Sequence, residues 1–239
     1  VAITAWASVA GKKEVEGPLS HTFDVKCRDT YFGQKTWEQA EKKMQEMCLR
    51  TLAEKAALHP WEIDLVFSGD LLNQCIGSSF SLRNMNIPHL GLYGACSTMA
   101  ESLLLAGLTV DGGYADRVAA MTSSHFASCE RQYRFPLGYG GQRTPTSQWT
   151  VTGSGAALLC RQGKGPAITA CTMGTVTRRS CTSSIISFNA ESAMERVMGV
   201  PRSFEKATTR VKAPSSWRML ALAFVAMRES TRGSMIIFS

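Results

Sequence analysis

The sequence predicts an α/β fold built on a mostly parallel sheet with an antiparallel edge. Three observations point there. Short apolar runs alternate with helical patterns between residues 37 and 125, the order from which parallel sheets are built. Residues 37–58 carry apolar side chains at helical spacing with charges between them. Residues 98–110 are apolar nearly all round, with Glu101 the one charged residue, and a helix without a solvent face belongs between layers.

Taken in order, Val1 to Val9 reads as a strand that leads into the loop GKKEVEGPL (11–19). Trp37, Ala40, Met44, Met47, Cys48 and Leu52 make the stripe of the first helix, and His59 and Pro60 end it. The start of that helix, QKTWEQAEKK (34–43), reads as a surface face with Trp37 turned to the core or an interface. IDLVFSGD (63–70) is a buried strand that stops at a Gly-Asp turn. A helix is expected from Leu71 to Met85, and Pro88 breaks the chain before the short strand HLGLY (89–93). GACST (94–98) leads into the apolar helix, and DGGYAD (111–116) connects it to the strand RVAAMTSSH (117–125). Residues 126–149 read as a long loop. TVTGSGAALLC (150–160) and AITACTMGTV (167–176) read as a strand pair joined by the turn RQGKGP (161–166).

The 239 residues are 44% hydrophobic and 19% charged, which excludes a disordered or collagen-like chain. The longest apolar run, Met219 to Met227, falls far short of the roughly 20 residues of a spanning helix, so no transmembrane segment is expected. The first residues lack a basic region followed by an apolar stretch, so no secretory signal is expected either. The net charge is +7, but residues 1–175 contribute only +1 and residues 176–239 contribute +6. The body is therefore nearly neutral, and nucleic acid is not among its expected partners. The eight cysteines show no CxxC pair and no zinc-ligand spacing. Most of them read as small buried hydrophobes in a reducing compartment, with disulfide pairing the lesser alternative, and no metal or cofactor is expected.

Four residues stand out for chemistry. Cys96 follows a short strand and precedes the apolar helix, where the helix dipole and free backbone N–H groups favour a thiolate or a bound anion. It reads equally as a packed cysteine at a tight turn. Asp70 ends a strand, and ligands of open α/β sheets sit beyond the carboxyl ends of strands; Asp70 also suits a helix cap. His125 ends another strand of the same sheet, as a site residue or as hydrogen-bonded structure. The convergence of Asp70, Cys96 and His125 at strand ends raises all three together. Arg131, Arg134 and Arg143 lie in the cationic, aromatic loop 130–145, suited to fork onto a carboxylate or to build an interface.

Small residues, then a cysteine, then a buried helix resemble the N-terminal half of the thiolase and ketoacyl-synthase fold, whose cysteine at this place accepts acyl groups. A closer likeness lies in GPL (17–19), QKTWEQAE (34–41), SGDLLNQ (68–74), GACST (94–98), VDGGYA (110–115), TSSH (122–125), ERQYRFP (130–136), YGGQRTP (139–145) and TVTGSGAALL (150–159). Together they resemble the stage V sporulation protein AD family. That resemblance implies a thiolase-like fold without established thiolase chemistry. It implies binding of dipicolinic acid (pyridine-2,6-dicarboxylate), loaded into the developing endospore with the help of small membrane proteins. It implies a peripheral place on the cytoplasmic face of the forespore or spore inner membrane, and a homodimer is also considered. By motif, Asp70 and Cys96 fall at the ligand site, with His125 and Arg143 nearby. One carboxylate of the flat dianion would meet the helix N-terminus at Ser97 and Thr98, and an arginine the other. Asp70 would orient a donor, shape the pocket, or act through a Ca²⁺ chelate of the ligand. The rival class is an acyl-transferring enzyme with Cys96 as nucleophile.

The resemblance ends near Thr177. Residues 176–239 contain no Asp, Tyr or His, but 11 Ser, 5 Thr and 8 Arg. A basic Ser/Arg-rich tail from 178 to 239 is therefore set apart from the thiolase-like half, 1–177, and its composition resembles out-of-frame translation. Without a second half to cover the helix at 98–110, the chain is expected to be marginally stable.

Overall fold

The computed structural model describes residues 1–127, 150–172 and 185–189. They form an α/β structure around one sheet of eight strands. The strands are β1 (Ala2–Ala10), β2 (Val25–Lys26), β3 (Leu65–Gly69), β4 (His89–Gly91), β5 (Arg117–Ser124), β6 (Gly153–Cys160), β7 (Ala167–Thr172) and β8 (Ile185–Asn189). Their order is β4-β3-β5-β6-β1-β7-β8, with β2 beside the end of β1. The helices are α1 (Lys12–Glu16), α2 (Trp37–Lys55), α3 (Ile76–Leu82) and α4 (Thr98–Asp111).

The α/β class is as expected, but the sheet is mixed in its pairing. β3 pairs in parallel with β4 and β5, whereas β6 inserts antiparallel between β5 and β1. β6 and β7 are not a hairpin, because β1 lies between them: Ala2 pairs with Ala167, and Ile3 N–H donates to the Pro166 carbonyl at 2.8 Å. The connection has to cross the start of β1, and glycine permits it. A Cβ at Gly165 would stand 2.1 Å from the Ile3 carbonyl oxygen, and one at Gly163 would stand 2.3 Å from Thr4. The strand β8 lies past residue 177 and pairs antiparallel with β7.

Side chains alternate across the sheet. Val66, Ala119, Met121, Ala156 and Leu158 face α2 and the end of α3, with Met44, Cys48, Leu49 and Leu52. Phe67, Val118, Ala120, Ala157 and Leu159 face α4, with Leu103, Leu104, Ala106 and Val110. In β1 a bulge between Ile3 and Ala5 shifts the register, so Ile3 joins the α4 layer while Ala5, Ala7 and Val9 join the α2 layer.

Both early helices are shorter than their sequence pattern. The chain turns left-handed at Ala57 (φ 55°), where Ala57 and Leu58 N–H close onto the Glu54 and Ala53 carbonyls and end α2. Gln74 and Cys75 are also left-handed (φ 59° and 53°), which delays the start of α3. At its other end, Thr36 caps α2 by accepting from Gln39 N–H. α4 packs on the sheet with one side. Leu103 and Leu104 are buried, Leu105 is half-buried, and Leu108 is 46% exposed. Among the described residues the expected second covering layer is thus incomplete at Leu108.

Leu103→Ala should therefore cost about 2–5 kcal/mol and Leu108→Ala well under that, about 1 kcal/mol or less. Urea unfolding of both variants checks this, and equal costs would mean that Leu108 is covered in solution.

Candidate functional site

The carboxyl ends of β4, β3 and β5 lie side by side, with Ser68 opposite Gly91 and Gly69 opposite Thr122. The segments after those strands begin with Asp70, run through Cys96, and begin with His125. The topology thus brings the three to one edge of the sheet, but their side chains serve different ends.

Asp70 is 2% exposed and accepts three hydrogen bonds from its own loop and helix. Leu72 N–H donates to Oδ1 at 2.8 Å. Ser78 donates to Oδ2 twice, through N–H at 2.7 Å and Oγ–H at 2.6 Å. The carboxylate therefore closes the first turn of α3 and stands where the positive end of a helix favours it. It is a cap, though for a helix that begins five residues later than the sequence pattern.

Cys96 is exposed, in a single 3₁₀ turn (Ala95–Ser97) that feeds α4. Ala95 is left-handed, with φ 48°. Ser97 Oγ–H donates to the Gly94 carbonyl at 2.8 Å, and Thr98 Oγ–H to the Ala95 carbonyl at 2.8 Å. A Cβ at Gly94 would stand 2.6 Å from both Glu101 Oε2 and Ser97 Oγ, side-chain atoms that would have to move aside. At Gly69 glycine is required, since a Cβ would meet the backbone carbonyl oxygen of Leu92 at 2.1 Å. The end of β3 thus presses directly on the approach to Cys96.

His125 is fully buried. Ala127 N–H donates to Nδ1 at 3.2 Å, so the proton sits on Nε2, which donates to the Thr30 carbonyl at 2.9 Å. Burial holds its pKa below the ordinary value of 6.5, only partly offset by the Thr30 bond. The ring holds backbone in place. Arg143, with Arg131 and Arg134, lies outside the described residues.

The sequence reading missed a buried polar cluster on α2. Glu41 and Gln45 are fully buried, not on a surface face. Gln45 Nε2 donates to Ser78 Oγ at 3.1 Å and to Ser123 Oγ at 2.6 Å, and Ser123 Oγ–H passes on to Glu41 Oε1 at 2.8 Å. Ser81 Oγ is 3.0 Å from Gln45 Oε1. A signal existed: Glu41 and Gln45 sit beside Ala40, Met44, Cys48 and Leu49 on the one stripe that helical spacing buries. Cys75 also went unnoticed. Its Sγ–H donates to the Leu92 carbonyl at 3.1 Å, and burial first, then Asp70, pushes its pKa up. Cys48 is driven further, to about 12, mainly by burial. The six described cysteines are all free, and no group of His, Cys, Asp or Glu among the described residues suits a metal ion.

A family model described as Stage V sporulation protein AD (SpoVAD) matches residues 1–208. The Stage V sporulation protein AD of Bacillus subtilis (strain 168) is 41% identical over 174 residues, 73% of this chain and 52% of that protein. The chain belongs to the stage V sporulation protein AD family. The family match reaches 208, farther than the break expected near 177. The chain spans about half the length of that curated relative. Solved structures with similarity include 3-oxoacyl-[acyl-carrier-protein] synthase III of Aquifex aeolicus VF5, 15% identical with a TM-score of 0.48, over 72% of this chain and 57% of that one. The priming β-ketosynthase of the R1128 polyketide pathway is 18% identical with a TM-score of 0.44, over 70% and 53%. Nothing about activity follows from likeness at that level. The order of the fold is nonetheless the one the thiolase-like class implied: strand β4, a turn carrying Cys96, then the helix α4.

His125 and His89 both have pKa values lowered mainly by burial. An unfolded chain takes up these protons first, so the stability they confer is complete above about pH 6.5 and is lost as the pH falls below it. The melting temperature should drop between pH 7 and 5, and His125→Gln, which has no proton to gain, should flatten that dependence. An unchanged slope in the variant would assign the effect to other groups.

Proposed function

We propose that this chain is the ligand-binding part of a sporulation protein that takes up dipicolinic acid for the developing endospore, without catalysis. The observation that carries the reading is the exposed Cys96 turn at the positive end of α4, on a chain of the stage V sporulation protein AD family. A rigid pyridine dicarboxylate suits that place, because the helix end attracts a carboxylate. Glu101, in the first turn of α4 and close to Gly94, opposes a bare dianion and favours a Ca²⁺ chelate, in which the cation offsets the charge. Asp70 acts on the shape of the site, since its oxygens are engaged by Leu72 and Ser78. Arg143 remains the proposed partner for the second carboxylate.

The rest of the reading concerns partners. Small membrane proteins of the uptake system hold the protein peripherally at the forespore inner membrane. Among the described residues no helix is long and apolar enough to cross a membrane. A homodimer forms through the edge strand β4, where Leu90 of the strand and Tyr93 just after it are exposed. An edge strand that pairs with its own copy across a two-fold axis covers both apolar patches at once. Leu90→Lys should then turn a dimer into a monomer by light scattering, and an unchanged mass would exclude this edge.

The second reading, acyl transfer from Cys96, is favoured by the exposure of the thiol after left-handed Ala95. Against it, both ring nitrogens of His125 are committed to backbone. Calorimetric titration with dipicolinate, with and without Ca²⁺, tests the first reading, and incubation with an acyl-CoA tests the second. Cys96→Ala should weaken dipicolinate binding about three- to tenfold, the scale of one lost contact, in this chain and at the matching cysteine of a full-length relative. Absence of binding in both proteins sinks the ligand reading, and a thioester on Cys96 replaces it with the enzyme.

A further inference from the structure

We infer that Gln45 and Ser78 are positioning residues for the Cys96 turn, acting through Asp70 and Cys75; the functional meaning of this inference rests on the ligand reading above. The path runs through hydrogen bonds joined by short stretches of backbone. Gln45 Nε2 reaches Ser78 and Ser123, which fixes α2 to α3 and to the end of β5. Ser78 gives its hydroxyl proton to Asp70 Oδ2, and its backbone N–H goes to the same oxygen. The other oxygen of Asp70 accepts Leu72 N–H, which sets the direction of the turn 71–75. That turn ends in Cys75, whose thiol donates to the carbonyl of Leu92. Leu92 N–H in turn donates to the Ser68 carbonyl at 2.8 Å, two residues before Gly94 opens the Cys96 turn.

The two shorter contacts of Gln45 Nε2 set the donor order, with the Gly69 carbonyl a longer third acceptor at 3.5 Å. A carboxamide nitrogen only donates, so in these contacts Ser78 and Ser123 accept from Gln45 and hand their own protons outward. Ser78 hands its proton to Asp70, and Ser123 to Glu41. Gln45 thus orients two buried carboxylates with one side chain. Nothing in this set lies on the surface: Glu41, Gln45 and Ser78 are fully buried, and Asp70 and Ser123 nearly so. A buried polar set of this kind specifies geometry, and two of its consecutive links, Gln74 and Cys75, are held in left-handed backbone that non-glycine residues adopt reluctantly. The geometry held is that of the turn leading to Leu92 and Cys96.

Amide hydrogen exchange on the full chain tests this, with Ser78→Ala and Gln45→Met. Exchange should quicken about three- to tenfold in residues 71–78 and 92–98 of both variants, while β1 and β6 stay as in the wild type. Dipicolinate affinity should fall by a similar factor. Acceleration spread evenly over β1 and β6 would mean a general loss of stability and overturn the inference, as would unchanged exchange at 92–98. If the wild type binds no dipicolinate but exchange quickens at 71–78 and 92–98 and not in β1 and β6, the ligand reading falls and the positioning role stands. If binding is intact in both variants, the positioning role falls and the ligand reading stands.

Discussion

The structure depends on a sheet that has to be dry on both faces. β3, β5 and β6 carry apolar side chains in both directions, so each face needs its own helix. α2 and α3 cover one, and α4 covers the other. This requirement explains the composition of the two long helices. α2 has a solvent side and carries charges there, including Lys43, Glu46 and Arg50 in surface pairs. α4 has almost none, and its one acidic residue before Asp111, Glu101, lies in the first turn, where the helix dipole favours it. The bulge in β1 follows from the same constraint, because without it Ile3 and Ala5 would share a face and one layer would lose an apolar contact.

Periodicity made most of this legible. Eight of the nine strands and helices expected from apolar runs are found within a few residues of their places, and the ninth, at Leu71–Met85, is found shortened to Ile76–Leu82. The ends were not legible, because local geometry that leaves no apolar pattern sets them. Ala57, Gln74 and Cys75 are left-handed without being glycine, so nothing in composition marked those breaks. Sheet order was hidden for a different reason. A short polar turn with two glycines between two strands reads as a hairpin, yet Gly163 and Gly165 serve to let the chain pass over Ile3 and Thr4. The small pieces α1 and β2 carry too few residues to show any period.

The site divides in a similar way. That Asp70, Cys96 and His125 stand at one edge follows from strands that end together. Where each side chain points does not follow, because backbone groups decide it. Thr30 and Ala127 take both nitrogens of His125, and Leu72 and Ser78 take the oxygens of Asp70. None of these partners is marked by residue type, since three of the four contribute only backbone. Glu41 and Gln45 were hidden by their polarity, although their spacing put them on the buried stripe. A helix pattern is read from where apolar residues recur, so a buried polar residue drops out of it.

Burial also separates the two kinds of polar group near Cys96. Those below the sheet edge are enclosed and engaged with one another and with backbone. Those above it, Cys96 and Glu101, are the ones a small molecule can meet. Burial drives Cys75 and Cys48 toward the protonated thiol, so neither is suited to be a nucleophile, whatever its neighbours. Among the described residues, Cys96, Glu101 and the backbone around them are therefore the groups this edge offers to a ligand. The backbone there is shaped by contacts from below, with Gly69 against Leu92 and Cys75 onto its carbonyl. A substitution deep on α2 and one at the surface turn thus act on the same few atoms, and they differ only in whether the effect arrives through the polar set or directly.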